Sequence, residues 1–500
     1  MSDFSKLNNL RGVERETLRI NIDGSLADTV HANSLGHKLT NDSITVDFSE
    51  NLLELITSPK KSIEEVLDNL KELSAFTLQN ISQDEIILNT SMPLLASEDD
   101  IKEADFGSSN SGMMKQTYRK GLSARYGKIM QIISGIHYNF SFDKELVAQK
   151  SKALGLSKSS VYFGVINNYF EYMWLLPYLF GTSPICAKTS VRNKPDYLQN
   201  LDDEFYVGEY ATSLRMSDLG YTSPAQKDLN ISYKDVKSYV KDLIGATAKE
   251  FPSYAKLGLY NQEKERIQLN ENILQIENEY YSPVRPKQIA KRCERPACAL
   301  LNRGVEYMEV RVLDVDPFDS NGISKNTALF VEAMLMTCFD NDFNDYSQEK
   351  VTIAKQNLTT VAIEGRKLDL SVLKPNGEKV GLKDYALELF ANIEKVAKKM
   401  GQEFLDAVLS EKQKILDSTK TPSAKLIKLA KEHGYKNVVL DISKKVSQEF
   451  RNYKLSDVDN NTLKNKVQES IEIERLLSSN DKISLAEYIA MYYQSANGCC

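Results

Sequence analysis

One stretch near the start of the chain decides the fold, and it reads Arg11-Gly12-Val13-Glu14-Arg15-Glu16-Thr17-Leu18-Arg19-Ile20. Side chains alternate between the two faces of a β-strand, so Glu14 and Glu16 share a face with Leu18 and Ile20. The other face carries Val13, Arg15, Thr17 and Arg19. Two carboxylates about 7 Å apart, at roughly 3.3 Å per residue, thus point the same way as two apolar side chains.

This pairing of acids with apolar neighbours indicates a metal site. Burying ionised carboxylates is costly unless cations meet them, and like charges on one face add to the cost. A divalent metal resolves the conflict, and Mg²⁺ prefers a few carboxylates together with phosphate oxygens. The stretch therefore favours a nucleotide-using enzyme. The alternative is an edge strand whose glutamate side chains lie in water.

Composition excludes several classes of function. A chain of 500 residues with 42% hydrophobic and 26% charged residues is typical of a globular protein with a large core. The net charge of −6 and the absence of a Lys/Arg-rich run predict no nucleic-acid partner and no anionic-membrane partner. The longest apolar stretch, residues 173–180, is too short to span a bilayer. We expect no signal peptide before Arg11, reduced cysteines and a cytoplasmic protein.

Three later stretches also place polar side chains on strands. Residues 44–48 and 52–57 are predicted to pair, and Glu54 lies on the apolar face of the second. Residues 129–141 are predicted as one strand whose odd face carries Gln131, His137 and Asn139; a structural histidine is the alternative there. In residues 304–314, Glu309 and Arg311 share a face, which suits a metal and its phosphates. A cross-strand ion pair is the alternative.

The remaining pattern is mostly helical. The capping box Ser62-Ile63-Glu64-Glu65 predicts a helix start, and residues 159–180 predict a buried aromatic helix ending near Pro177. Residues 274–281 are predicted to form a strand that runs into a rigid basic turn at 283–287. Helix-period patterns dominate from about residue 383. The chain has no Walker motif and no Gly-x-Gly pair. We therefore expect an α+β protein with an antiparallel sheet and helices around it.

Taken together, the motifs resemble the proteobacterial type of glutamate–cysteine ligase, the first enzyme of glutathione biosynthesis. They are Arg11-Gly-Val-Glu14-Arg15-Glu16-Thr-Leu-Arg19, Asp47-Phe48, Leu53-Glu54, Tyr118-Arg119-Lys-Gly121-Leu122, Ser134-Gly-Ile-His137-Tyr-Asn139-Phe, Leu214-Arg215-Met-Ser-Asp218-Leu-Gly-Tyr221, Ile276-Glu-Asn-Glu279 and Glu306-Tyr-Met-Glu309-Val-Arg311. The resemblance implies a glutamine synthetase/guanido kinase-like fold, in which a curved antiparallel sheet forms a funnel surrounded by helices. It also implies a catalytic core of residues 1–380 and a helical region, 381–500, packed on that core.

The resemblance further implies roles for individual residues. The Mg²⁺ ions, with Mn²⁺ as a substitute, would be held by Glu14, Glu16, Asp47, Glu54, His137 and Glu309. The catalytic set would be Glu309 with Arg311 and Arg119, the two arginines meeting the phosphates. The amino-acid pocket would consist of Phe48, Tyr118, Leu122, Gln131, Asn139, Arg215, Tyr221 and Tyr281.

The implied reaction is the ATP-dependent joining of the γ-carboxylate of L-glutamate to the amine of L-cysteine through an acyl phosphate. The products would be γ-glutamylcysteine, ADP and phosphate. The family also makes feedback binding of glutathione an expectation, and we expect a monomer without a fused glutathione synthetase module. Two alternatives stay open: a ligase with another amine acceptor, and a catalytically silent binding protein on the same scaffold.

Overall fold

The computed structural model describes residues 4–220, 223–291 and 294–495. Its strands are β1 (Leu10–Asn21), β2 (Ile44–Val46), β3 (Leu52–Ile56), β4 (Glu85–Ile87), β5 (Ile136–Ser141), β6 (Ile185–Ala187), β7 (Leu198–Asn200), β8 (Phe205–Gly208), β9 (Val284–Lys287), β10 (Tyr307–Leu313), β11 (Ser371–Leu373) and β12 (Lys379–Gly381). Its helices are α1 (Ile63–Gln79), α2 (Asn110–Tyr126), α3 (Lys144–Leu154), α4 (Lys158–Tyr172), α5 (Leu175–Phe180), α6 (Val236–Ala248), α7 (Pro252–Leu257), α8 (Pro296–Arg303), α9 (Lys325–Asp340), α10 (Gln348–Glu364), α11 (Leu382–Met400), α12 (Gln402–Leu416), α13 (Pro422–His433), α14 (Tyr435–Asn452), α15 (Asp457–Asn480) and α16 (Leu485–Gln494).

The main sheet is antiparallel and is organised around β1. Its strand order is β2-β3-β1-β5-β10-β9, and β4 pairs with the far end of β1. In the register, Glu14 lies opposite His137, and Glu16 lies opposite Glu54. Because β3 and β5 flank β1 on either side, the edge-strand alternative is wrong. The predicted α+β class with an antiparallel sheet is confirmed.

The face of β1 that points away from its glutamates is buried as well. Arg11 donates from Nε to Glu332 Oε2 of α9 at 2.7 Å. Arg19 donates from Nη1 to Glu85 Oε2 at 2.6 Å. Arg15 is fully buried and donates to Asn89 Oδ1 at 2.7 Å. Since buried charges are tolerated only with partners, these contacts fix where the covering segments lie on the sheet.

Three local predictions were wrong. Residues 129–132 form a 3-10 turn and the strand begins only at Ile136, because a short apolar run has no periodicity that separates a strand from a helical turn. Residues 277–279 also form a 3-10 turn, and the expected basic turn is instead the edge strand β9. The aromatic helix is two helices, α4 and α5, and Pro177 lies in the first turn of α5, where a backbone N–H has no helical partner.

The helices after residue 381 pack on the same core as the sheet. Phe390 of α11 contacts Phe330 of α9 with ring centroids 5.4 Å apart. Ser443 and Ser447 of α14 accept hydrogen bonds from the backbone N–H groups of Asn89 and Ile87, both at 3.1 Å. The predicted capping box at Ser62 is present and starts α1. The division of the chain near residue 380 stays a prediction. None of the helices in the described ranges has the length and apolar character needed to cross a bilayer.

The buried ion pair between Arg11 and Glu332 gives a stability prediction. Glu332→Ala should lower the free energy of unfolding by about 3–5 kcal/mol, because it leaves the Arg11 guanidinium buried without its counter-ion. Chemical denaturation followed by circular dichroism measures the change. The control is Glu472→Ala, which removes an exposed pair with Arg475 and should leave the denaturation midpoint unchanged. Equal midpoints for the two variants would contradict the prediction.

Candidate active site

A cavity of about 330 Å³ lies over the face of the main sheet that carries the acids. Its floor comes from β1, β3, β5, β9 and β10, and one wall comes from α2. The side chains that line the floor are Glu14, Glu16, Glu54, His137, Arg285, Lys287, Glu309 and Arg311. The period-2 pattern therefore placed the acids of β1, β3 and β10 on the face that borders the cavity.

Three floor residues form a group that could hold a divalent cation. One ligand atom from each of Glu14, His137 and Glu309 lies within 4.8 Å of the other two. His137 Nδ1 is 3.1 Å from Glu14 Oε2 and 3.6 Å from Glu309 Oε1. Glu309 Oε2 is buried and accepts no hydrogen bond from the described residues. Two carboxylates, an imidazole and an unused buried oxygen are suitable ligands for such a cation.

The other half of the floor concentrates negative charge. Glu16 and Glu54 are directly opposite each other on β1 and β3, an arrangement that destabilises a sheet. Burial raises the pKa of Glu16, and the charge of Asp47 raises it further. Burial together with Asp47, Glu14 and Glu16 raises the pKa of Glu54 well above its ordinary value. This half of the floor is therefore stabilised by added positive charge.

Cations from β9 and β10 surround Glu309. Arg311 Nη1 is 2.9 Å from Glu309 Oε1, while Lys287 Nζ and Arg285 Nη1 are 3.6 and 3.9 Å from Oε2. Burial disfavours the charged carboxylate, but Lys287, Arg311 and Arg285 outweigh burial and hold the pKa of Glu309 well below its ordinary value. Sequence reasoning missed Arg285 and Lys287. Their alternation with Val284 and Pro286 was the available signal.

Helix α2 brings two more cations to the cavity. Arg119 donates from Nε to the backbone oxygen of Asp47 and from Nη1 to the backbone oxygen of Lys115. Its Nη2 lies 3.9 Å from Asp47 Oδ1. The Arg119 guanidinium and the Lys115 ammonium both lie 4.3 Å from the centre of the Phe106 ring. Sequence reasoning did not single out Lys115.

Most of the expected amino-acid pocket lines the cavity. The lining side chains from that set are Phe48, Tyr118, Leu122, Gln131 and Tyr281. Asn139 is not among them; it donates to Glu14 Oε1 at 2.8 Å and so orients a floor carboxylate. Tyr221 lies outside the described residues.

Arg215 is buried but is not among the side chains that line the cavity. It donates to the backbone oxygens of Arg311 and Leu313 at 3.1 and 3.2 Å. It can come this close because Gly135 has no side chain: a Cβ at Gly135 would lie 2.0 Å from Arg215 Nη2. Arg215 thus fixes the backbone of β10, which carries Glu309 and Arg311.

Comparison with known proteins gives consistent results. A family model described as glutamate-cysteine ligase matches residues 4–361. The glutamate–cysteine ligase of Pseudomonas putida is 40% identical over 97% of this chain and 95% of its own length. That of Saccharophagus degradans is 38% identical over 98% of this chain and 95% of its own length.

Solved structures agree. A crystal structure of glutamate–cysteine ligase from Francisella tularensis in complex with AMP is 66% identical over the whole of both chains, with a TM-score of 0.99. A bifunctional glutathione synthetase from Pasteurella multocida is 24% identical over 89% of this chain and 52% of its own, with a TM-score of 0.66, and supports the fold alone. The fold class expected from the motifs is confirmed.

The crowded acids on β1 and β3 give a second prediction. Glu54→Gln should stabilise the metal-free protein at pH 7.5 by about 0.5–1 kcal/mol, because it removes a like-charge pair across two strands. The pKa of Glu54 is higher in the folded protein than its ordinary value of 4.5, so ionisation destabilises the fold as pH rises above that value. The gain should therefore vanish below about pH 4.5. Thermal melts with a chelator at both pH values measure it.

Glu309→Gln is the matched control, because the same substitution should change the free energy of unfolding in the opposite direction. It removes the counter-ion of Lys287 and Arg311 and should cost about 1.5–3 kcal/mol at pH 7.5. A stabilising Glu309→Gln or a destabilising Glu54→Gln would contradict the charge distribution described above.

Proposed function

The chain belongs to the glutamate–cysteine ligase family, and we propose how its cavity carries out the family's reaction. The enzyme uses ATP to join the γ-carboxylate of L-glutamate to the amine of L-cysteine, which gives γ-glutamylcysteine, ADP and phosphate. This is the first step of glutathione biosynthesis. One observation carries the proposal for the site: Glu14, His137 and Glu309 converge within 4.8 Å, and Arg311 lies 2.9 Å from Glu309.

The metal-binding role belongs to the acids of the floor. Glu14, His137 and Glu309 would hold one Mg²⁺ or Mn²⁺, and Glu16, Glu54 and Asp47 would hold further ions. The raised pKa values of Glu16 and Glu54 support this assignment, because a bound cation relieves the repulsion that raises them. Such an ion supplies positive charge that offsets the charge of the phosphate oxygens.

The protein's main contribution is to bind the anionic substrates and to orient them for phosphoryl transfer. A carboxylate does not react with an amine at neutral pH, so the γ-carboxylate of glutamate first accepts the γ-phosphoryl group of ATP. The cysteine amine then attacks the acyl phosphate carbon, the bond from that carbon to the phosphate oxygen breaks, and phosphate and the proton of the amine are released. Arg311 stabilises the charge that gathers on the phosphoryl oxygens. Arg119 contributes at the same place and also holds the backbone of Asp47 in position.

The amino-acid substrates would bind near α2, next to the aromatic side chains that line the cavity. Phe48 and Leu122 are buried apolar side chains, and Tyr118, Tyr281 and Gln131 border the same space. In this proposal Asn139 acts through Glu14, and Arg215 acts through the backbone of β10. Feedback binding of glutathione, a cytoplasmic location and a monomeric state also belong to the proposal.

The direct test is ADP release in the presence of ATP and Mg²⁺, with each amino acid omitted in turn. Release should require L-glutamate, rise on addition of L-cysteine, and yield γ-glutamylcysteine by mass spectrometry. Release that needs neither amino acid, or no release at all, would refute the activity. A screen of other amines would reveal a different acceptor.

Glu14→Gln tests the first metal group. Loss of one carboxylate should lower kcat by about 100-fold or more, as loss of one charge-stabilising group does, and should raise the Mg²⁺ concentration needed for half-maximal rate. Initial rates across a Mg²⁺ series measure both effects. Glu306→Gln, at a partly exposed glutamate paired with Lys144, is the control and should behave as wild type. Normal rates and normal Mg²⁺ dependence for Glu14→Gln would remove Glu14 from the site.

The acceptor preference tests the apolar character of the pocket. The nucleophile is the amine, so 2-aminobutyrate, in which a methyl group replaces the thiol, should remain a substrate. Serine should be worse, because its hydroxyl loses hydrogen bonds to water at a cost of roughly 1–3 kcal/mol. The expected order of kcat/KM is cysteine, 2-aminobutyrate, serine, measured at saturating glutamate and ATP. If serine matches cysteine or 2-aminobutyrate is inert, the pocket is not apolar.

A further inference from the structure

Among the described residues, five cations border the cavity, and four of them contact acceptor groups of the protein. Arg311, Arg285 and Lys287 lie around Glu309 at 2.9, 3.9 and 3.6 Å. Arg119 donates to two backbone oxygens, those of Asp47 and Lys115. These contacts fix the positions of the four cations before any substrate enters.

Lys115 is the exception among the cavity cations of the described residues. No described carboxylate lies within 4.0 Å of its Nζ, and Nζ donates no hydrogen bond to the described residues. The Phe106 ring lies 4.3 Å from Nζ and supports the ammonium without neutralising it. The structure thus directs an ammonium with three available donors toward the cavity.

Lys115 lies on α2, which also carries Tyr118 and Leu122 of the amino-acid pocket. Tyr118 is only three residues away, roughly 4.5 Å along the axis at 1.5 Å per residue, so the charges around Lys115 are the better guide to its ligand. The carboxylates nearest in charge interaction with Lys115 are Glu54 and Asp47. Glu54 and Asp47 both belong to the acids proposed as metal ligands. A Mg²⁺ ion bound by carboxylates usually also binds phosphate oxygens of the substrate.

We propose that Lys115 contacts the γ-phosphoryl group of ATP and follows it to the γ-carboxylate of glutamate. A lysine suits this role because its ammonium is a compact charge on a flexible stem, whereas a guanidinium favours one fixed planar geometry. No proton is transferred to or from Lys115 in this step. The ammonium stabilises oxygens whose charge persists while the P–O bond to ADP breaks and the bond to the carboxylate forms. The inference rests on the proposed function.

The test compares two nucleotides by calorimetry in the presence of Mg²⁺: the non-hydrolysable analogue AMP-PNP, which has a third phosphate position, and ADP, which lacks it. Lys115→Met should weaken AMP-PNP binding by about 10- to 100-fold, as expected for a lost charge-assisted hydrogen bond. ADP affinity should change by less than about twofold. Lys115→Arg should recover most of the AMP-PNP affinity.

Lys120→Met is the matched control, because it makes the same change on the same helix. Lys120 pairs with Glu265 at 3.6 Å and does not line the cavity. The Lys120→Met variant should therefore bind both nucleotides with the affinity of the wild-type protein. A thermal melt of Lys115→Met confirms that the variant is folded, and Lys115→Gln provides a second neutral variant.

Three results would overturn the inference. Unchanged AMP-PNP affinity in the Met and Gln variants would exclude contact with the third phosphate. An equal loss for AMP-PNP and ADP would move Lys115 to the inner phosphates. A raised KM for glutamate or cysteine with normal AMP-PNP affinity would assign it to an amino-acid carboxylate. The binding comparison needs no turnover, so it remains readable even if the wild-type protein fails to form γ-glutamylcysteine.

Discussion

Repulsion between carboxylates held at fixed cross-strand positions is the constraint on which the rest of this structure depends. Glu16 and Glu54 are paired residues of one ladder, so the sheet holds their backbone positions opposite each other. Around Glu309 the protein compensates with its own cations, Lys287 and Arg311. At Glu54 the charge of Lys115 compensates only in part, and burial with the neighbouring acids raises the pKa. One half of the floor is thus balanced by the fold, while the other requires charge brought by ions.

The opposite face of β1 carries buried arginines, and each of them contacts acceptor groups of the covering segments. Arg11 and Arg19 are buried against Glu332 and Glu85, and Arg15 is buried against an amide and a backbone oxygen. Buried pairs of this kind contribute little net stability but are costly to break. They therefore fix which segments cover the sheet, and so keep the acid-bearing face open toward α2.

Local alternation was sufficient to find the floor acids, because a strand's two faces follow from sequence order alone. Glu14, Glu16, Glu54 and Glu309 were all identified in this way, and the family resemblance supplied the fold. Contacts between residues that are far apart in sequence could not be predicted in this way. Nothing near Gly135 in sequence reveals that Arg215 lies against it, and the turn at 277–279 depends on neighbours outside that stretch. Lys287 was noted in the sequence, but residues 283–287 were predicted to form a turn and not a strand of the sheet.

The strand order has a consequence for how the protein is made. The ribosome releases β1 and β3, with their opposed glutamates, long before β9 and β10 carry Arg285, Lys287 and Arg311 to the other side of β5. Pairing strands so distant in sequence is slow, because a long loop must close first. During translation the N-terminal acids therefore stay hydrated, and the nascent chain exposes an unpaired edge of β5. The free edge of β5 is covered only when β10, residues 307–313, has been synthesised.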